Sequence, residues 1–61
     1  MRKFFLLRLK NCANLVIDEI AARDLREARD YFAHRRPAIG LDLDGYAKHA
    51  DGTSYCIAQT V

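Results

Sequence analysis

Residues 3 to 10 alternate in a way that suits an extended strand. Lys3, Phe5, Leu7 and Leu9 share one face, and Arg2, Phe4, Leu6, Arg8 and Lys10 share the other. Asn11-Cys12-Ala13-Asn14 reads as a turn, and Leu15-Val16-Ile17 opens a second β-branched run that reaches about Ala22. The two runs predict a hairpin. Asp24 is a good helix N-cap, with Glu27 three residues later as in a capping box. Leu25, Ala28 and Phe32 then recur at helical spacing with Tyr31 beside them, while Arg23, Arg26, Arg29 and Asp30 fall on the opposite side. The helix should run from Leu25 to Arg35 or Arg36. Pro37 ends it, because the residue before a proline is pushed out of helical geometry.

A rival pattern exists. Ile17, Ile20, Ala21, Leu25, Ala28 and Phe32 also fit one long helix beginning near Ala13. The Val16-Ile17 pair and the Asp24 cap favour strand followed by helix. Ala38 to Gly45 suits a connector, and Asp51-Gly52 suits a two-residue hairpin turn. Counting outward from that turn sets Ala50 against Thr53, Lys48 against Tyr55 and Tyr46 against Ile57. The predicted fold is α+β: a small antiparallel sheet in the order ββαββ, with one helix packed on one face, forming a single domain over residues 1–61.

Composition limits what such a domain can do. A chain of 61 residues buries only about 60% of the surface its unfolded form exposes, leaving little core to enclose a substrate pocket. Ten basic residues stand against eight acidic ones, a mildly basic and mixed surface. Seven of the ten are Arg, the side chain suited to planar contacts with carboxylates and phosphates. The N-terminal Phe4-Phe5-Leu6-Leu7 run is cut short by Arg8 and Lys10. It is too short for a signal sequence, and no stretch approaches a membrane span. A cytosolic protein is expected. Cys12 and Cys56 lie far apart in the chain; a single long-loop disulfide is open in principle, but in a reducing compartment they read as two buried or half-buried thiols.

The chemistry-bearing motifs are few. Leu41-Asp42-Leu43-Asp44-Gly45 resembles the nucleophile motif of haloacid-dehalogenase-type phosphatases. That motif needs a larger parallel sheet and usually a Thr where Tyr46 stands. As a calcium loop the segment lacks the bidentate Glu. It is better read as a polar loop in which Asp caps backbone groups. With Lys48 opposite Tyr55, His49 falls opposite Ser54. A Ser-His contact without a Gly-rich oxyanion loop or a cavity does not make an enzyme. No catalytic residue, metal or cofactor is assigned.

Two surfaces suit binding. Arg23, Arg26, Arg29 and Arg36 form a basic stripe along the helix, with Arg35 at its edge, where phosphates could lie. If Phe5, Leu7 and Leu9 pack under the helix, Phe4 and Leu6 point outward, framed by Arg2, Arg8 and Lys10. Apolar groups rimmed by Arg are typical interface material. The expected partner-binding residues are therefore Arg2, Phe4, Leu6, Arg8, Arg23, Arg26, Arg29 and Arg36. A protein partner is the leading expectation; nucleic acid is the alternative, and a homodimer stays open.

The segment Ile20-Ala21-Ala22-Arg23-Asp24-Leu25-Arg26-Glu27-Ala28-Arg29 resembles the strand-to-helix junction of many small phage and bacterial proteins. The tail Gly45-Tyr46-Ala47-Lys48, with Ala50-Asp51-Gly52-Thr53-Ser54-Tyr55, resembles their closing hairpin. Small phage-encoded folds of this kind include anti-CRISPR proteins that inhibit type I surveillance complexes. The resemblance implies stoichiometric inhibition by occupying a Cas subunit. It transfers no functional residue.

Overall fold

The computed structural model describes residues 1–60. β1 (Arg2–Lys10) and β2 (Ala13–Ala22) form a long hairpin, followed by α1 (Leu25–Arg35), a single 3-10 turn (Pro37–Ile39), a two-residue β3 (Ala47–Lys48) and β4 (Ser54–Gln59). All pairings are antiparallel, and the sheet order is β2-β1-β4-β3. The α+β reading with one helix on one sheet face holds, and the single long helix from Ala13 does not. Asn11 and Cys12 have φ of +52° and +65°, and Lys10 pairs with Ala13. The turn is thus two residues in mirror-image geometry, which matches the right-handed twist of the flanking strands.

The Asp24 side chain accepts from the Glu27 N–H at 2.9 Å, and Glu27 reaches back to the Arg23 N–H at 3.2 Å. One end of α1 is thereby satisfied. At the other end the Arg36 N–H donates to the Phe32 carbonyl, and Pro37 follows.

β2 contains a bulge. Pairing with β1 runs Lys10↔Ala13 to Leu7↔Val16, then shifts so that Leu6 meets Asp18, leaving Ile17 as the extra residue. The shift decides what lies under the helix. In the unshifted register Glu19 and Ala21 would face the core. The bulge turns them outward and brings Ile20 and Ala22 beneath α1, because a one-residue slip exchanges the two faces.

The core consists of Phe4, Leu6, Ala22, Ala28, Phe32 and Leu41, with Ile17, Ile20, Tyr31, Ile39, Ala47, Tyr55 and Ile57 packed around it. This corrects the strand-face expectation. Phe4 and Leu6 are fully buried at 0% exposure and face the helix, whereas Phe5, Leu7 and Leu9 lie on the opposite side. The charges that made the Phe4 face look solvent-facing sit beyond the helix footprint. An 11-residue helix is about 16 Å long and the nine-residue strand about 30 Å. Arg2 and the Arg8–Lys10 end therefore stay exposed while the middle of the same face is covered.

The second hairpin is also one residue out of the expected register. Ala47 pairs with Tyr55 and Lys48 with Ser54. The His49 N–H donates to the Thr53 carbonyl, the Gly52 N–H returns to the His49 carbonyl, and Gly52 has φ +90°. The loop is the three residues Ala50-Asp51-Gly52, with only Gly52 left-handed. A third residue lets Asp51 accept from the Thr53 N–H at 2.9 Å. His49 consequently lies on the helix side of the sheet and Ser54 on the other, so the Ser-His contact does not form.

Candidate functional site

The helix and the 37–46 loop cover the same side of the sheet, leaving the other side open. On it Phe5, Leu7 and Leu9 form the central column. Glu19, Val16 and Asn14 flank them from β2, and Ala58, Cys56 and Ser54 from β4, each row fixed by strand register. None of the three central residues belongs to the core cluster, and all three are half-buried. Val16 is 51% exposed. Charge is confined to the periphery: Lys3 and Glu19 pair across one end at 3.4 Å, and Lys48 marks the far corner. At that corner the face runs into an open groove of about 460 Å³ lined by Leu9, Tyr46, Lys48, Ser54 and Cys56 among others. An apolar centre with a charged rim has the anatomy of an interaction surface.

The expected binding arginines separate into distinct roles. Arg29 is a structural tie. Its Nε donates to the Asp42 carbonyl and its Nη2 to the Leu41 carbonyl, both at 2.9 Å, and Nη1 meets Asp30 at 3.0 Å. It fastens the loop to α1 and holds Leu41 in the core. Arg36 donates to the Ile17 carbonyl at 2.7 Å and to Asp18 at 3.2 Å, closing the bulge on the outer edge of the sheet. Arg35 meets the same Asp18 carboxylate at 3.0 Å. Arg23 pairs with Glu27. The helix stripe is therefore largely neutralised by its own contacts. Among the described residues Arg2, Arg8, Lys10 and Arg26 form no salt bridge, and all four are exposed. Arg8 and Lys10 stand together on the projecting hairpin, beside exposed Leu15, around a cleft of about 430 Å³. Phe4 and Leu6 leave the candidate surface altogether.

The acidic loop is built on its own backbone. Asp42 accepts from the N–H groups of Asp44 and Tyr46 at 2.9 and 3.0 Å, as expected of a capping Asp. The His49 ring packs against Tyr55, with centroids 5.2 Å apart. Its Nε2 lies 2.9 Å from the Ile39 carbonyl, which only accepts, so this nitrogen carries the hydrogen and ties the 3-10 turn to the last hairpin. No helix among the described residues is long and apolar enough to cross a membrane.

Sequence reasoning missed the open face because both faces of β1 carry apolar residues. The useful signal lay in β2. Its apolar alternation through Ala13, Leu15 and Ile17 changes phase to Ile20 and Ala22, which marks the bulge and identifies the helix side. No family model, no curated protein and no solved structure matches the chain, so its surfaces alone carry the functional reading.

Proposed function

We propose that the chain is a non-enzymatic protein-interaction module whose contact surface is the open face of the sheet. The observation that supports this is the continuous apolar patch of Phe5, Leu7, Leu9, Val16, Cys56 and Ala58, which no element among the described residues covers. A helix-on-sheet pair of layers that leaves one sheet face apolar and bare gains stability when another protein packs on it. The resemblance to anti-CRISPR proteins directs the search for a partner to a subunit of a type I surveillance complex, where occupation alone would inhibit. The test compares capture of partner proteins by the parent chain and by Leu7→Lys. Leu7→Lys places a charge at the centre of the patch and should reduce binding at least about tenfold, or 1.4 kcal/mol. Full-strength capture by a folded Leu7→Lys variant refutes the surface.

A second reading, nucleic-acid binding, is favoured by one observation: the exposed Arg8–Lys10 pair on the hairpin, which forms no salt bridge among the described residues. It predicts binding that falls steeply with salt and is lost in Arg8→Glu with Lys10→Glu.

A further inference from the structure

We infer that the protein seated on the open face is a second copy of this chain, packed sheet against sheet. The inference rests on the reading of that face as an interaction surface and names its occupant.

Three observations favour a copy. The first is the balance of the rim. Lys3 and Glu19 sit side by side at one end of the patch, each about half exposed. A rim carrying both signs is its own complement: two copies related by a two-fold axis can exchange these partners, so that Lys3 of each meets Glu19 of the other. A rim of one sign would repel its copy.

The second is the thinness of the core. Among the described residues only Phe4, Phe32 and Leu6 are large side chains that are fully buried. Domains of this size commonly need a disulfide, a structural metal or oligomerisation. Cys12, at the hairpin tip, and Cys56, level with Leu7 in mid-sheet, are both free thiols. No three metal-ligating side chains converge among the described residues. A second copy adds a second core layer without either device.

The third is shape and size. The patch spans three strands and about seven residues of strand length, roughly 15 by 25 Å. Two copies would bury at most on the order of 1,000 Å², below the roughly 1,200–2,000 Å² of stable specific interfaces, so the association is weak and concentration-dependent. The competing edge-to-edge mode through β2 is poorly prepared. The bulge interrupts that edge, Arg36 already occupies its Ile17 carbonyl, and Asp18 and Glu19 stand at its middle.

The two thiols distinguish the modes. Cys56 lies inside the proposed interface and Cys12 far outside it. Sedimentation equilibrium from about 10 µM to about 1 mM should show the mass rising from 7.0 kDa toward twice that value. Over the same range alkylation of Cys56 should slow while that of Cys12 stays constant. Leu7→Lys, and independently the more exposed Val16→Lys, should remain at monomer mass with an unchanged circular-dichroism spectrum and a concentration-independent Cys56. Leu43→Lys, on the loop at 87% exposure, should still dimerise. Monomer mass throughout overturns the inference, as does a dimer that survives both face variants with Cys56 fully reactive. If the chain is monomeric yet Leu7→Lys abolishes capture of another protein, the interaction face stands and only its occupant is wrong. If neither mass nor capture responds, both fail.

Discussion

Replacing Asp18 should remove the clasp that joins the β2 bulge to the end of α1. The Asp18 side chain is only 10% exposed. One oxygen accepts from the Glu19 N–H at 2.9 Å, and the other meets Arg35 at 3.0 Å and Arg36 at 3.2 Å. A hydrogen bond to a charged group contributes about 1.5–3 kcal/mol net. The two arginines are 57% and 38% exposed, so solvent screens the pair and the low end applies. Asp18→Ala loses both ion pairs, strands the Glu19 amide and leaves two guanidinium groups side by side. The expected cost is about 2–3 kcal/mol. A chain of this length has a total stability of roughly 3–9 kcal/mol, so the loss is a large share of it. With a urea slope near 1 kcal/mol/M, the midpoint should fall by about 2 M. Asp18→Asn, which keeps the shape and removes the charge, should fall between Ala and parent. A double-mutant cycle of Asp18→Asn with Arg36→Met should return a coupling energy of about 1 kcal/mol. Glu19→Gln is the control, because its pair with Lys3 is half exposed on both sides and should change stability by less than about 0.5 kcal/mol. If Asp18→Ala is no worse than Glu19→Gln in urea titrations, the clasp is ornamental and the reasoning fails.

Phe32→Ala removes a fully buried ring from the helix–sheet contact and should cost about 3–5 kcal/mol, enough to unfold much of the population; a loss under about 1 kcal/mol in urea would contradict the packing. Gly45→Ala should be more damaging than Gly52→Ala. Both positions have left-handed φ, but a Cβ at Gly45 would sit 2.8 Å from Ile57 Cδ1, while one at Gly52 meets nothing within 4 Å. Melting curves should show about 1 kcal/mol for Gly52→Ala and at least about twice that for Gly45→Ala. Acid stability should depend on Asp51. The hydrogen bond from the Thr53 backbone, aided by the Thr53 side chain, holds its carboxyl below the ordinary value of 3.8. A depressed folded-state pKa gives stability that is complete above 3.8 and is lost as pH falls through the lowered value. Melting temperatures followed from about pH 5 to about pH 2 should therefore decline less steeply in Asp51→Asn than in the parent, and identical slopes would refute the assignment.

Local chemistry was legible in the chain. The Asp24 cap, the Pro37 stop, a turn beginning at Asn11 and the strand content of residues 15–22 follow from interactions within a few residues, and those interactions are written in adjacent letters; the turn read over Asn11–Asn14 proved two residues shorter, with Ala13 and Asn14 already in β2. The α+β class followed from the order of these elements. Tertiary structure decided the rest, because the remaining choices compare alternatives of nearly equal local merit. The Phe4-Phe5-Leu6-Leu7 run offers two apolar faces, and only the footprint of α1, about half the length of β1, selected Phe4 and Leu6 for burial. The three-residue loop at Asp51 instead of two moved the last hairpin by one residue and separated His49 from Ser54 onto opposite faces. Arg29 and Arg36 looked like members of a free basic stripe. Their true partners, the carbonyls of Leu41, Asp42 and Ile17, lie 12 to 19 residues away in sequence, and backbone carbonyls have no letter of their own. The open face of Phe5, Leu7 and Leu9 has the same origin: it is the side the helix did not take.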